Sequence, residues 1–147
     1  MSRDPFLEAA IEEAKKSLAE GGIPIGSVLV HEGKIIGRGH NMRVQTGSPI
    51  DHGEMNCLRN AGRLSAEIYR NCAIYSTLSP CPMCSGAIVL YRIPRVIVGE
   101  NRTFMGAEDY MRSQGIRVEV VNDEECEALM RGFIDAQPEL WQEDIGV

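Results

Sequence analysis

Apolar residues recur every three or four positions from Asp4 to Glu20, the spacing that places them on one face of an amphipathic helix. Asp4 is a suitable N-cap, Pro5 suits the first helical position, and Gly21 follows where helices commonly end. The pattern therefore predicts a first helix over this segment.

The next part of the chain is rich in β-branched residues. Two such runs, 25–30 and 34–38, flank Glu32-Gly33 and predict a hairpin of two antiparallel strands. Segment 41–49 contains Gly, Ser, Thr and Pro, which is typical of a loop, and it leads into a predicted helix over 51–61.

Further along, short β-type runs alternate with helical segments. Strands are predicted over 73–77, 95–98 and 117–121, with helices starting at Ser79-Pro80, over 108–114, and after Asn122 or Asp123. The last helix has an apolar face of Cys126, Leu129, Met130, Phe133 and Ile134 and is expected to end before Pro138. Such alternation implies parallel pairing. The predicted fold is one α/β domain over 1–147, a three-layer α/β/α sandwich with a central mixed sheet of about five strands.

Composition narrows the class of protein. The 147 residues are 44% hydrophobic and 24% charged, near the globular average, and no apolar run approaches the ~20 residues of a membrane span. Fifteen Lys and Arg against 21 Asp and Glu give a net charge of −6, the wrong sign for a protein that neutralises phosphates. A nucleic-acid partner and a membrane partner are therefore disfavoured.

The cysteines and the N-terminus bear on location. Five cysteines are an odd number in a chain of ordinary size and do not resemble a disulfide framework. Acidic residues interrupt the first segment where a secretory signal or transit peptide would have none. A reducing, cytoplasmic location is expected.

Cys81-Pro-Met-Cys84 places two thiols three positions apart at a predicted helix start, where the helix end favours thiolates. Alone, this motif fits a redox pair as well as half of a metal site. His52 at another helix start supplies a third donor, and one imidazole with two thiolates suits a catalytic zinc site whose fourth position is left for water.

Glu54 has two interpretations. It completes a capping box with Asp51, or it moves protons between the activated water and a leaving group. His52 alone would be an ordinary histidine, as His31 and His40 are taken to be. The combination favours catalysis.

The pattern H-x-E followed by P-C-x-x-C is a zinc deaminase signature. Together with the runs GGIPIGSVLV, GRGHNMRVQTGS, TLSPCPMCSGAI, YRIPRVIVGEN and WQEDIG, it makes nearly the whole chain resemble the small fungal-type cytosine deaminases of the cytidine and deoxycytidylate deaminase superfamily. The resemblance implies hydrolysis of free cytosine to uracil and ammonia by a homodimeric enzyme of pyrimidine salvage.

The resemblance also implies roles for individual residues. His52, Cys81 and Cys84 would hold Zn²⁺, and Glu54 would shuttle the proton. The substrate would be bound by the remaining residues, namely Asn41 and Asp144 at the pyrimidine edge, Ser79 through its backbone, and Phe104, Trp141 and Ile25 as pocket walls. Without the resemblance, Asn41 would be a turn residue and Asp144 a solvated charge.

Some positions depart from the family pattern: Gln142 replaces an expected aromatic residue, Asp51 an apolar one, and the 49–50 loop differs. These departures bear on the substrate, so 5-methylcytosine, isocytosine, guanine or creatinine remain alternatives. A tRNA adenosine deaminase shares the signature but needs a basic surface. Two alternatives lie outside the deaminases, namely a structural zinc module and a redox site formed by the two cysteines.

Overall fold

The computed structural model describes residues 3–147. Its centre is a five-stranded sheet in the order β2-β1-β3-β4-β5. The strands are β1 (Gly26–His31), β2 (Lys34–His40), β3 (Cys72–Leu78), β4 (Arg95–Glu100) and β5 (Arg117–Val120). β1 pairs antiparallel with β2 and β3, whereas β3 with β4 and β4 with β5 are parallel. The predicted mixed sheet is confirmed.

Helices cover both faces of the sheet. They are α1 (Pro5–Ala19), α2 (Arg43–Thr46), α3 (Gly53–Ala61), α4 (Ala66–Tyr69), α5 (Pro82–Leu90), α6 (Glu108–Ser113), α7 (Glu124–Ala136) and α8 (Pro138–Asp144). Across the part of the chain that the structure describes, no helix combines the length and apolar character needed to cross a bilayer.

Side chains of the inner strands alternate between the two faces, as the period of two in a β-strand requires. On one face, strand residues pack against Cys57 of α3, Ile88 of α5 and Met111 of α6. The strand residues on this face are Leu29, Ile74, Val96 and Val98. On the other face, they pack with α1 and with Cys126 of α7, and they are Val28, Val30, Tyr75 and Ile97. This arrangement is the predicted three-layer sandwich.

Several local signals form as predicted. Asp4 caps α1 by accepting a hydrogen bond from the Phe6 amide over 2.8 Å, and Asp123 caps α7. Glu32 and Gly33 have φ values of 50° and 75°. Two successive left-handed residues form the turn that matches the twist of a tight hairpin.

Other local predictions were wrong. α5 begins at Pro82 with Cys81 as its N-cap, two residues after the predicted Ser79-Pro80 start, because Pro82 also suits a first helical turn. The predicted 41–49 loop contains the short helix α2. α7 ends at Ala136, before Pro138 as predicted, but Pro138 then opens α8, a helix that was not predicted.

β4 extends beyond its predicted end at 98 and continues through Gly99 to Glu100. A Cβ at Gly99 would lie 2.6 Å from both Cys126 Sγ and the Thr77 carbonyl oxygen. The glycine therefore permits the close approach of β3 beside β4 and of α7 against the face of the sheet.

Candidate active site

Four chain segments meet at one edge of the sheet. Ile25 precedes β1, Asn41 follows β2, Ser79 follows β3, and the segment carrying Phe104 follows β4. Because β1 is antiparallel to β2 and β3, its start lies beside their ends. The carboxyl ends of parallel strands are a common position for ligand sites in α/β folds.

Three predicted zinc ligands come together at this edge. One donor atom each from His52, Cys81 and Cys84 lies within 4.8 Å of the others. His52 is the N-cap residue of α3 and Cys81 that of α5, so two helix starts converge. His52 Nδ1 is 3.5 Å from Cys81 Sγ.

This geometry fits zinc. Zn–N distances of ~2.0 Å and Zn–S distances of ~2.3 Å in a tetrahedron separate nitrogen from sulfur by about 3.5 Å. One thiol of the pair ionises readily, because hydrogen bonding to Cys84, opposed by burial and assisted by His52, lowers the pKa of Cys81 to about 4. The same hydrogen bond, together with burial, raises the pKa of Cys84, and a coordinating metal ion would deprotonate that second thiol as well. Two thiolates and one imidazole are a donor set that zinc prefers.

Glu54 lies in the first turn of α3 and is 4% exposed. Burial, assisted by the charge of Cys81, raises its pKa to about 7, a value suited to taking up and releasing protons near neutral pH. The capping box does not form: the Asp51 amide donates to the Ser48 carbonyl over 3.2 Å, and the Asp51 carboxylate accepts from Arg59 over 2.9 Å. Glu54 is therefore free for another role.

Asn41 and Asp144 lie next to the zinc ligands. Asn41 Nδ2 donates to Asp144 Oδ1 over 3.0 Å, and the same oxygen is 3.4 Å from His52 Nε2. Burial raises the pKa of Asp144. Burial alone would lower the pKa of His52, but hydrogen bonding to Cys81 and the charge of Asp144 raise it to about 9. The Asn41 side chain is further held by the Arg43 amide, which donates to Oδ1 over 3.0 Å.

Apolar side chains line the same region. Phe104 and Trp141 meet edge to face, with ring centroids 5.7 Å apart. Ile25 packs against the start of α3, where a Cβ at Gly53 would lie 3.0 Å from the Ile25 carbonyl oxygen. Ile25, Phe104 and Trp141 belong to one apolar cluster with Ile23, Leu78, Met130 and Phe133.

Most of the site residues are buried, whereas Cys81 is partly exposed. Asn41, His52, Glu54, Cys84 and Asp144 are each no more than 9% exposed. Since Trp141 and Asp144 belong to α8, the C-terminal helix forms part of this enclosure. No helix was predicted after the one that ends before Pro138, although proline is favoured at the first position of a helix and was a usable signal.

Two of the histidines lie outside the group. His31 ends β1, and His40, at the end of β2, lies between Glu13 and Glu20 at 2.8 and 2.9 Å. Their interpretation as ordinary structural histidines agrees with these positions.

Comparison with known proteins decides the family. A family model described as the cytidine and deoxycytidylate deaminase zinc-binding region matches residues 1–100. The chain belongs to this family. Membership confirms the predicted zinc cofactor and the predicted hydrolytic deaminase, rather than a structural zinc module or a redox site.

Relatives of the deaminase include different substrate classes. This chain is 51% identical over 141 residues to a cytosine deaminase of Candida albicans, and the match covers 95% of this chain and 94% of the relative. It is also 45% identical over 106 residues to a tRNA-specific adenosine deaminase of Streptococcus pyogenes, and this match covers 70% of this chain and 66% of the relative. A solved structure from a study of tRNA A34 deaminases shares 27% identity with a TM-score of 0.72, covering 86% of the deaminase and 99% of that chain.

Proposed function

We propose that this deaminase hydrolyses free cytosine to uracil and ammonia. The observation that carries the proposal is the position of the buried Asn41–Asp144 pair, 3.4 Å from His52 and so beside the zinc donors. An amide and a carboxylate offer the donors and acceptors that a pyrimidine edge requires. The similarity to a cytosine deaminase over 95% of the chain supports the same substrate.

His52, Cys81 and Cys84 would hold Zn²⁺, which when bound lowers the pKa of water so that a nucleophile exists at neutral pH. Glu54 takes the proton of the attacking water and delivers it to the adjacent ring nitrogen. It then takes the remaining proton of that water from the oxygen now bonded to C4 and transfers it to the exocyclic nitrogen, which departs as ammonia as its bond to C4 breaks. Burial of Glu54 excludes bulk water from this transfer.

The other residues orient the base. Asp144 accepts the ring N1–H, and Asn41 binds the neighbouring pyrimidine edge. Ser79 contributes its backbone, and the walls are Ile25, Phe104 and Trp141. A ribose on N1 would occupy the space of Asp144, so cytidine is expected to be a poor substrate.

A tRNA substrate is the second candidate, because the Streptococcus pyogenes relative carries that name. The net charge of −6 and the burial of Asn41, Glu54 and Asp144 favour a free base instead. The test is ammonia release by purified, zinc-loaded protein from cytosine, 5-methylcytosine, isocytosine, guanine, creatinine and cytidine, with inosine formation in tRNA measured in parallel. Cytosine is expected to have the highest kcat/KM. Efficient tRNA deamination that weakens steeply with salt would overturn the proposal.

We further propose a homodimer that associates through α5. This helix contains no charged residue, and its last residue, Leu90, is 69% exposed. Met105, which is 62% exposed, precedes the Gly106 that contacts the Pro80 carbonyl just before the helix. An exposed apolar surface of this kind is typical of an interaction site. Sedimentation equilibrium of the protein and of Leu90→Asp tests this: the substitution should shift the dimer toward monomer, and a monomeric parent protein would contradict the proposal.

A cytoplasmic location, a role in pyrimidine salvage and a single deaminase domain over 1–147 complete the proposal. The five free cysteines support a reducing compartment. All five strands belong to one sheet, which supports one domain. Limited proteolysis tests the domain assignment, since a single domain should resist internal cleavage.

A further inference from the structure

The Ser79 side chain makes its hydrogen bonds with Glu108 and Gly106. Ser79 Oγ donates to Glu108 Oε2 over 2.7 Å and accepts from the Gly106 amide over 2.9 Å. The Ser79 amide donates to the Glu100 carbonyl over 3.0 Å. With the residue 2% exposed, three contacts determine its orientation.

The Ser79 carbonyl is the remaining polar group. Among residues 3–147 it accepts no hydrogen bond from the chain. A carbonyl oxygen only accepts, so its complement in a ligand is an N–H group. Cytosine has two such groups, the ring N1–H and the exocyclic amine, and Asp144 is assigned to the first. The amine is therefore the donor left for Ser79.

Glu108 joins the segments on either side of this carbonyl. Its carboxylate, on a residue 2% exposed, accepts from Ser79 and from Asn101 Nδ2 over 3.2 Å, and lies 3.6 Å from Arg112 Nη1. The two segments touch through their backbones, because a Cβ at Gly106 would lie only 1.8 Å from the Pro80 carbonyl oxygen.

We propose that Glu108 is a positioning residue which, through Ser79 Oγ, aims the Ser79 carbonyl at the exocyclic amine of the bound base. The inference rests on the proposed function, and it adds a residue outside the pocket that selects ligands carrying that amine. Glu108→Gln would replace the charged acceptor of the Ser79 hydroxyl with a neutral amide oxygen, so the hydrogen bond that orients Ser79 would lose its charge assistance.

The test compares two ligands that differ only in the amine, cytosine and 2-pyrimidinone. Binding is measured by calorimetry on zinc-loaded protein carrying Glu54→Gln, so that cytosine is not consumed. Glu108→Gln and Ser79→Ala are each added to this background, with Asp109→Asn as the control, since Asp109 is a fully exposed neighbour on α6. Glu108→Gln and Ser79→Ala should weaken cytosine binding about tenfold and leave 2-pyrimidinone binding within about twofold.

Equal weakening of both ligands would show a merely structural role and overturn the inference, as would unchanged cytosine binding. If Glu108→Gln does not fold, Ser79→Ala decides, since it removes the same contact and creates only a small change in volume. Turnover of cytosine by the unsubstituted protein distinguishes failure of the proposed function from failure of the inference about Glu108. Its absence overturns the proposed function together with the inference, whereas turnover with no amine-dependent loss overturns the inference alone.

Discussion

Asn41 donates a hydrogen bond to Asp144 over 3.0 Å and thereby joins the end of β2 to the C-terminal helix across 103 sequence positions. Both side chains are buried, and Asp144 also approaches His52. A buried pair of this kind is stable only while each group keeps a partner. The pair therefore holds α8 over the zinc donors, and a bound base must offer equivalent hydrogen bonds.

Asp144→Ala should reduce kcat/KM for cytosine by at least about tenfold, because the ring N–H loses its acceptor and this costs roughly 1–3 kcal/mol. Zinc content should remain at one ion per chain. Glu143→Ala is the control, because the neighbouring Glu143 side chain is 59% exposed. Steady-state kinetics with metal analysis measure both effects, and equal turnover by the two variants would return Asp144 to a structural role.

Deletion of 141–147 tests whether α8 acts as a lid. Zinc should stay bound, since His52, Cys81 and Cys84 lie outside the deleted segment, while cytosine turnover should collapse. The melting temperature should fall, because Trp141 is 7% exposed and packs in the cluster with Phe133 and Ile23. Full turnover by the shortened chain would contradict a lid.

Much of this fold is predictable because its signals are local. The first helix is preceded by its capping residue Asp4 and begins with Pro5, and the Glu32-Gly33 pair indicates the turn of the hairpin. The four-residue helices α2 and α4 are too short to show a period and escape prediction.

The candidate active site also contains both residues that the sequence predicts and contacts that it does not predict. The signature spacing indicates His52, Cys81 and Cys84, and the structure brings these three together. The Ser79–Glu108 contact joins residues whose types and spacing carry no common signal, so only the folded chain reveals it. Asp51, a departure from the family pattern, is buried and paired with Arg59, which explains how an acidic residue is tolerated there.

Cys84→Ala should lose both zinc and activity, since two remaining donors form a much weaker site. Cys72→Ala is a suitable control, because Cys72 is a free, buried cysteine outside the zinc group. Elemental analysis and ammonia release measure the two properties. An active, metal-free Cys84→Ala protein would contradict the assignment.

Glu54→Gln should keep zinc and fold yet lose most turnover, at least about a hundredfold, because an amide accepts a hydrogen bond but carries no proton. A merely structural role would instead lower stability by about 1 kcal/mol with the rate nearly intact. Thermal unfolding and single-turnover kinetics on the same preparation distinguish these outcomes.

Glu13 provides a test of stability away from the active site. This carboxylate in α1 accepts hydrogen bonds from Lys16 over 2.9 Å and from Arg38 over 2.7 Å, and lies 2.8 Å from His40 Nδ1. Burial alone would raise its pKa, but His40, Lys16 and Arg38 outweigh burial and lower it from 4.5 to about 2. The native state therefore favours the ionised form, and α1 is tied to β2.

A lowered pKa in the folded state stabilises the protein above the unfolded pKa of 4.5, and this stabilisation is lost as pH falls toward 2. Glu13→Gln should thus reduce the free energy of unfolding at pH 7 by up to about 3 kcal/mol, with the difference from the parent protein shrinking between pH 4.5 and 2. Urea unfolding at a series of pH values measures it. Glu12→Gln, at a side chain 58% exposed on the same helix, is the matched control and should change the free energy of unfolding at pH 7 by less than about 1 kcal/mol. A Glu13→Gln difference that grows as the pH falls would show that the carboxylate is stabilised in its neutral form instead.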